Sequence, residues 1–327
     1  MTEPLTNFRI VRPSVLADAV AARHDHADSS FIAGGTDLVV NIRHGIKRPT
    51  LLIDLSGIAE LTGIEASQHG VRIGAGVTVA ALGSSPTIAE RYAALAEAAA
   101  AIAGPAHRAM GTVGGNLCLD TRCVYYNQSE WWRRSNRFCL KHGGDICHVA
   151  PQGQRCHAAF AGDLAPALLV LEAEAEIAGP QERRRLPLGD LYVEDGRAHL
   201  RLGADEIVVA VHLPADPARS AYAKVRTRGA IDYPLAGVAV ALTVDDGVVK
   251  ALRVGVTGTN SRPFLVAGTD ILHGKKIDEQ ALQQIDRLVQ KQVQPMRTTI
   301  APAQYRRLAA AALARRLVNE LYAQHAA

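Results

Sequence analysis

The chain has 327 residues, 48% of them hydrophobic and 21% charged, and a formal charge of +4 at pH 7. These values predict a globular protein of two or three domains, and so small a positive charge without a matching motif gives no indication of nucleic-acid binding. No apolar stretch approaches the length of about 18 residues that predicts a membrane helix, and the N-terminus lacks a secretion signal, so we expect a cytoplasmic protein without membrane contact.

The first half of the chain alternates short apolar segments with glycine-containing turns. A strand is predicted to break at Gly34-Gly35, where two glycines either let the backbone approach a ligand or simply form a turn. Gly74 and Gly76 lack a third glycine at the right spacing, which excludes a Rossmann fingerprint. The elements predicted here are a helix at Ser14–Arg23, strands at Ser30–Ala33, Leu51–Leu55 and Val71–Ala75, and a helical region at Val79–Ala103 with a break near Ser84-Ser85-Pro86.

The second half changes character near residue 217, where we predict a domain boundary. Gln181–Arg185 is interpreted as a charged turn, and Asp245-Asp246-Gly247 as a hairpin turn. The last helix has an apolar side that includes Leu308 and Leu313, with Arg306 and the other arginines mostly elsewhere. The predicted elements are strands at Glu172–Ile177, Glu206–Pro214, Ala221–Arg226, Ala236–Val244 and Val248–Thr257, and helices at Asp278–Gln292 and Pro302–Ala323.

All five cysteines and both tryptophans lie in one interval, between Asn116 and Asp163. In a cytoplasmic protein, clustered cysteines indicate a metal more often than disulfides. Their spacing matches neither ferredoxins nor paired zinc knuckles, so an iron–sulfur cluster and a zinc ion both remain open. Cys118 lies too near the preceding glycine turn to be a preferred ligand. The four candidates are Cys123, Cys139, Cys147 and Cys156.

Other side chains of the interval are expected to support such a site. Bulky rings between Tyr125 and Trp132 are predicted to shield the metal from water. Basic residues would favour the thiolate form of the cysteines, among them Lys141 and, if protonated, His142 and His157.

Five segments, in this order, resemble the FAD motifs of the flavin subunit of molybdenum hydroxylases, a family that includes xanthine dehydrogenase and carbon monoxide dehydrogenase. They are Phe31–Leu38, Thr112–Asn116, Gly162–Leu164, Asp205–Val208 and Ala223–Arg226. The resemblance implies an α+β fold: a two-subdomain PCMH-type (vanillyl-alcohol-oxidase-like) FAD-binding domain at 1–217, followed by a C-terminal domain of the carbon monoxide dehydrogenase flavoprotein type at 218–327, with a small antiparallel sheet and helices.

The same resemblance implies the flavin contacts. It suggests that the amides of Gly34, Gly35, Gly114 and Gly115 meet the pyrophosphate, that Asp163 accepts a hydrogen bond from a ribose hydroxyl, and that Lys224 lies near the flavin ring. On the residues alone, Asp163 could instead be a helix N-cap and Lys224 a solvated strand residue. The implied contact residues are Phe31, Ile32, Ala33, Gly34, Gly35, Thr36, Asp37, Leu38, Ile102, Thr112, Val113, Gly114, Gly115, Asn116, Asp163, Val208 and Lys224.

The sequence departs from most of this family because Asn116 and Asp163 stand 47 positions apart. An insertion with four cysteines here, at about 117–160, is similar to that of the beta subunits of 4-hydroxybenzoyl-CoA reductases. This similarity implies a [4Fe–4S] cluster on Cys123, Cys139, Cys147 and Cys156. Electrons would run from reduced ferredoxin through the cluster and FAD to a gamma subunit with two [2Fe–2S] clusters and a molybdenum-cofactor alpha subunit, in an (αβγ)2 assembly. The product would be benzoyl-CoA, and this chain would not touch the thioester.

Three other functions remain open at this stage. The first is the flavin subunit of an oxidising molybdenum hydroxylase acting on an N-heterocycle or another aromatic acyl-CoA. The second is a self-contained flavin oxidase, and the third is a zinc-stabilised assembly module.

Overall fold

The computed structural model describes residues 7–326. Its strands are β1 Arg9–Val11, β2 Ser29–Ile32, β3 Leu51–Asp54, β4 Ile64–Ser67, β5 Gly70–Gly74, β6 Glu174–Ala178, β7 Arg183–Pro187, β8 Ile207–Pro214, β9 Arg219–Val225, β10 Ala236–Asp245, β11 Val248–Thr257 and β12 Phe264–Leu265. Its α-helices are α1 Leu16–Asp25, α2 Leu38–Arg43, α3 Val79–Gly83, α4 Pro86–Arg91, α5 Ala93–Ala101, α6 Pro105–Met110, α7 Val113–Leu117, α8 Glu130–Ser135, α9 Leu164–Val170, α10 Glu279–Gln292 and α11 Ala303–Ala326.

The strands form three sheets. A small parallel sheet has the order β1-β3-β2 and packs its buried residues against α1. An antiparallel sheet of five strands has the order β4-β5-β8-β6-β7, and a second antiparallel sheet has the order β12-β11-β10-β9. None of the helices described between residues 7 and 326 is long and apolar enough to cross a bilayer.

Strand β10 separates the two largest hydrophobic cores. Because successive side chains of a strand point to opposite faces, Val238 and Val240 belong to the core shared with α10 and α11, whereas Ala239 and Ala241 belong to the core shared with α5 and α9. The alanines leave room for the fully buried helix α9. The four-stranded sheet is therefore covered on both faces.

Several sequence predictions are confirmed and one is wrong. The region Val79–Ala103 forms α3, α4 and α5, with the expected break before Pro86, and Asp246-Gly247 forms the hairpin turn between β10 and β11. The interpretation of Gln181–Arg185 as a turn is wrong, because its second half begins the edge strand β7. Charged side chains on an edge strand resemble a loop in sequence, yet they protect the edge from pairing with another chain.

Helix α11 differs from the predicted pattern at two positions. Leu308 is 46% exposed, whereas Arg306 has no exposed surface. The Arg306 guanidinium donates to the carbonyl oxygens of Leu235, Met296 and Gly258 and to the Thr298 hydroxyl. Burial lowers the pKa of Arg306 to about 10. The arginine thus joins the C-terminal helix to two loops and the start of β10.

Replacing Arg306 with methionine is expected to lower the free energy of unfolding by about 3 kcal/mol, because the substitution leaves buried acceptors without a donor. Denaturant unfolding of the full chain would measure the change. Arg316→Met on the same helix is the matched control: Arg316 is half exposed, and within residues 7–326 its one ion pair is with Glu320 a turn away, so its loss should cost less than about 0.5 kcal/mol. Equal effects of the two substitutions would contradict the role of Arg306.

Candidate functional site

The loop that follows β2 lies directly on the turn between α6 and α7. A Cβ atom on Gly34 would fall 1.7 Å from the carbonyl oxygen of Met110 and 3.0 Å from the amide nitrogen of Gly111. Gly35 has a φ of +68°, in the region that favours glycine. The loop of Gly34-Gly35 is therefore in contact with the turn that leads into the motif Thr112–Asn116, and only glycine fits at position 34.

The amides of this loop are free to bind a ligand. Within residues 7–326, the backbone nitrogens of Gly34, Gly35 and Thr36 donate to no acceptor. Successive free amides at the end of a strand form a concavity that binds anions such as phosphate. The residues from Phe31 to Gly35 are half-buried, as expected for a wall that faces a ligand. These observations fit a pyrophosphate at this loop.

The amides of the second glycine turn are already engaged. The Gly114 nitrogen donates to the Ala75 carbonyl oxygen at 2.8 Å, and the Gly115 nitrogen donates to the Thr112 hydroxyl at 3.1 Å. A Cβ on Gly114 would lie 2.8 Å from that of Ala75. Both amides therefore have partners within the chain, and Gly114 permits close packing against Ala75, whereas Gly115 is exposed. The donation of these amides to a pyrophosphate stays a prediction.

The third motif joins the second through Asn116. The Asn116 side-chain oxygen accepts a hydrogen bond from the Leu164 amide at 3.0 Å, and a Cβ on Gly162 would lie 2.6 Å from the Asn116 carbonyl oxygen. The insertion between these motifs therefore leaves the scaffold and returns to the same place. Apart from the exposed Thr36 and Gly115, all residues of the first three motifs are buried or half-buried; these motifs are Phe31–Leu38, Thr112–Asn116 and Gly162–Leu164.

Asp163 and Lys224 form a buried ion pair with 2.8 Å between Nζ and Oδ1. The Tyr222 hydroxyl donates to the same carboxylate at 2.6 Å. Burial raises the pKa of Asp163, and Lys224 opposes that shift. Asp163 makes no side-chain capping bond at the start of α9, and the Lys224 side chain is only 3% exposed. Asp163 thus occupies the N-cap position of α9 without capping it through its side chain, and the interpretation of Lys224 as a solvated strand residue is wrong.

The two remaining predicted flavin contacts lie outside the glycine motifs in sequence. Ile102 is half-buried at the end of α5, where its carbonyl oxygen accepts a hydrogen bond from Arg108 at 2.8 Å. Val208 is buried in β8, and the neighbouring Val209 carbonyl accepts from the Ala75 amide. Val208 therefore belongs to the layer behind the second glycine turn.

Four of the five cysteines line one small cavity inside the insertion, and each of the four is buried. These are Cys123, Cys139, Cys147 and Cys156. The fifth, Cys118, lies outside this cavity, packs against the main core, and has its pKa raised to about 12 by burial. Four thiols brought together from separated loop positions form a donor set that suits an iron–sulfur cluster or zinc.

The thiols are not arranged around a single point. Among the described residues, no three His, Cys, Asp or Glu side chains are grouped to share one metal ion. The hydrogen bond with Cys156 lowers the pKa of Cys147 to about 5 and raises that of Cys156, whereas burial raises the pKa of Cys123 to about 11. A zinc ion needs all four sulfurs within about 2.3 Å of one centre, whereas a cubane cluster takes one thiolate on each of its irons.

The walls of the cysteine cavity are partly aromatic, as expected. Tyr125 and Tyr126 line it, and Trp132 lies behind Tyr125 with 6.0 Å between ring centroids. Trp131, in contrast, is 75% exposed and shields nothing. Burial lowers the pKa of His142 and of His157, so these imidazoles do not supply the positive charge considered for them.

Arg122 connects the insertion with the first glycine loop. Its backbone exchanges hydrogen bonds of 2.7 and 2.8 Å with Ala159, which pairs the two ends of the insertion. Its guanidinium forms an ion pair with Asp37, lies 4.7 Å from the Tyr233 ring centroid and donates to the Tyr233 hydroxyl. The residue before the first cavity cysteine thus contacts the loop that carries the free amides.

Sequence reasoning named Lys141 but missed Asp120 and His199, with which Lys141 forms a polar cluster at the cysteine cavity. Lys141 Nζ lies 2.6 Å from Asp120 Oδ1. Burial lowers the pKa of His199 to about 4; Asp120 opposes this shift, and Lys141 and Lys47 reinforce it. No local pattern marks these residues, because they are distant in the chain and each resembles an ordinary surface residue.

Protonation of His199 is expected to make the fold less stable in acid. Because its pKa is 6.5 when unfolded and about 4 when folded, the unfolded chain binds the extra proton, and roughly 3 kcal/mol of stability is lost as pH falls through this interval. Chemical denaturation at a series of pH values would measure the slope. His199→Gln, which does not titrate, should flatten the curve between these pH values, and an unchanged slope would contradict the assignment.

Comparison with known proteins identifies the class. Residues 6–216 match the family described as FAD binding domain in molybdopterin dehydrogenase, and residues 220–321 match the CO dehydrogenase flavoprotein C-terminal domain. A putative xanthine dehydrogenase FAD-binding subunit of Escherichia coli is 26% identical over 95% of each chain. The carbon monoxide dehydrogenase medium chain of Afipia carboxidovorans is 28% identical over 97% of this chain and 98% of its own. A solved Cu,Mo-CO dehydrogenase contains a chain that superposes with a TM-score of 0.80, at 26% identity, covering 98% of this chain and 99% of that one.

The fold and the two family matches thus define an FAD-binding flavoprotein. The chain belongs to the family of FAD-binding subunits of molybdenum hydroxylases, which includes the medium chains of xanthine and carbon monoxide dehydrogenases. It is an oxidoreductase subunit that consists of a PCMH-type FAD-binding domain and a carbon monoxide dehydrogenase flavoprotein C-terminal domain. The family fold predicted from the motifs is confirmed.

Proposed function

We propose that this chain is the FAD and [4Fe–4S] subunit of a molybdenum-dependent 4-hydroxybenzoyl-CoA reductase. The observation that carries the proposal is the cavity lined by four buried cysteines, within an insertion that Arg122 ties to the flavin loop. The proposal includes a domain boundary near residue 217, a cytoplasmic location, and an (αβγ)2 complex with the molybdenum-cofactor and two-[2Fe–2S] subunits.

In this proposal the chain positions its cofactors and does not bind the thioester. The free amides of Gly34, Gly35 and Thr36 would hold the FAD pyrophosphate, and the four cavity cysteines would each bind one iron. When bound, the two groups supply electron transfer from reduced ferredoxin toward the partner subunits. Tyr125 and Tyr126 exclude water from the thiolates, and Arg122 fixes the distance between the two sites.

Metal analysis tests the proposal most directly. The chain is purified without oxygen, and its iron, acid-labile sulfide and zinc are measured together with its visible spectrum. We expect iron and sulfide in the ratio of a [4Fe–4S] cluster in addition to flavin absorption. Zinc would contradict the proposal and favour the zinc-stabilised assembly module, and no metal at all would contradict both.

An oxidising molybdenum hydroxylase is the second candidate, because the similar proteins are mostly of that kind by name. They include a nicotine 6-hydroxylase medium subunit from Paenarthrobacter nicotinovorans, 27% identical over 97% of this chain and 98% of its own. Assays of the complex with aromatic thioesters and a low-potential donor, alongside N-heterocycles and an acceptor dye, separate the two. Turnover only in the oxidative direction would select this candidate over the reductase.

A further inference from the structure

Lys141 is a buried cation in the wall of the cysteine cavity. Its side chain is 4% exposed, and it lines the same cavity as the four cysteines. Burying an ammonium group is costly unless other groups compensate its charge and fill its hydrogen-bonding positions. A lysine in such a place therefore requires an explanation beyond packing.

The ammonium group of Lys141 is held by a set of neighbours that fixes its position. It lies 2.6 Å from Asp120 Oδ1, 3.1 Å from the Thr121 carbonyl oxygen and within hydrogen-bond distance of the Thr121 hydroxyl. It also sits 4.3 Å from the centroid of the Tyr126 ring, whose hydroxyl donates to the other Asp120 oxygen at 3.0 Å. Every contact favours the charged form of the lysine.

The ion pair has a direction with respect to the cavity. Lys141 belongs to the cavity wall, whereas Asp120 does not. The positive end of the pair therefore lies nearer the sulfur atoms than the negative end. In a buried environment of low dielectric constant, such an oriented pair exerts a field that water screens weakly.

We propose that Lys141 is a charge-compensating residue that raises the reduction potential of the metal–thiolate group in this cavity. This inference rests on the proposed function, because it requires a cluster on the four cysteines. Reduction adds one electron to that group, and therefore one negative charge, without forming or breaking a bond to a proton. A nearby fixed cation stabilises the more negative state, and net charge near a cluster is one of the determinants of its potential.

The test compares three variants of the full chain in its complex, purified without oxygen. Redox titration followed by electron paramagnetic resonance gives the midpoint potential of the cluster, and iron analysis gives its content. Lys141→Met is expected to shift the midpoint to a more negative value. Asp120→Asn removes the opposing charge and is expected to shift it to a more positive value. Arg134→Met removes a positive charge of the insertion whose side chain is 71% exposed and therefore screened by water, and should leave the potential near that of the unchanged chain.

Midpoint potentials that shift in opposite directions in Lys141→Met and Asp120→Asn indicate an electrostatic effect, because a general loosening of the cavity would shift both potentials in the same direction. If Lys141→Met fails to retain iron, the direction of the shift in the midpoint potential of Asp120→Asn decides whether the inference holds. A Lys141→Met variant with full iron content and an unchanged midpoint potential would overturn this inference and leave the proposed function standing. Absence of iron from the unchanged chain would instead overturn the proposed function, and this inference with it.

Discussion

Replacing Cys139 with serine should abolish the iron content of the chain and leave FAD bound. Serine is nearly the same size, but its alkoxide is not available at neutral pH to replace a thiolate. The turn around this residue is held by backbone bonds from His142 and Gly144 to the Cys139 carbonyl, and these survive the change. Iron analysis, together with the flavin absorbance of the same sample, measures both effects.

Cys118→Ser is the matched control for this experiment. Cys118 lies in the same stretch of sequence but outside the cysteine cavity, so its loss should leave the iron content unchanged. Loss of iron in both variants would indicate damage to the fold, and loss of iron in neither would show that Cys139 binds no metal. The comparison therefore tests the ligand set as well as the presence of a cluster.

Replacing Gly34 with alanine should weaken FAD binding by about ten- to 100-fold. The new methyl group would stand 1.7 Å from the Met110 carbonyl oxygen, a backbone atom that cannot rotate away. Overpacking of this kind costs about 1–3 kcal/mol, and each 1.4 kcal/mol lost at the site changes the dissociation constant tenfold. Titration of the flavin-free chain with FAD, followed by fluorescence, gives the dissociation constant.

Gly229→Ala provides the control for Gly34→Ala. No atom lies within 4 Å of the position that its Cβ would occupy, so FAD affinity should not change. Iron content should remain the same in both variants, because neither glycine contacts the cysteine cavity. Unchanged FAD affinity in Gly34→Ala would show that the loop after β2 does not belong to the flavin site.

Local patterns predicted much of this fold because the deciding interactions are close in sequence. The apolar strand before Gly34-Gly35 predicts that the chain turns at these glycines, and Pro86 predicts the break in the helical region because proline cannot continue a helix from the preceding residues. The edge strand β7 was missed since Arg183 and Arg185 resemble solvated loop residues. Arg183 pairs with Glu60 and Glu176, which lie on other elements of the structure.

The candidate site was predictable as a set of motifs but not as a set of contacts. The link between Arg122 and Asp37 spans 85 positions, and that between Lys224 and Asp163 spans 61. Arg306 was placed away from the apolar side of its helix, because nothing nearby indicates the carbonyl oxygens that surround it. The engagement of the Gly114 amide by Ala75 likewise depends on tertiary packing.

The pairing of Arg122 with Ala159 has a consequence for how such a subunit could be engineered. A segment whose departure and re-entry points are hydrogen-bonded neighbours can be shortened or exchanged without pulling the surrounding helices apart, because closing the gap requires only a short turn. The insertion could in this sense be exchanged as a unit, provided that the recipient surface supplies partners for its contacts with the scaffold, among them Asp37 for Arg122 and the carbonyl oxygens of His44 and Gly45 for Arg133.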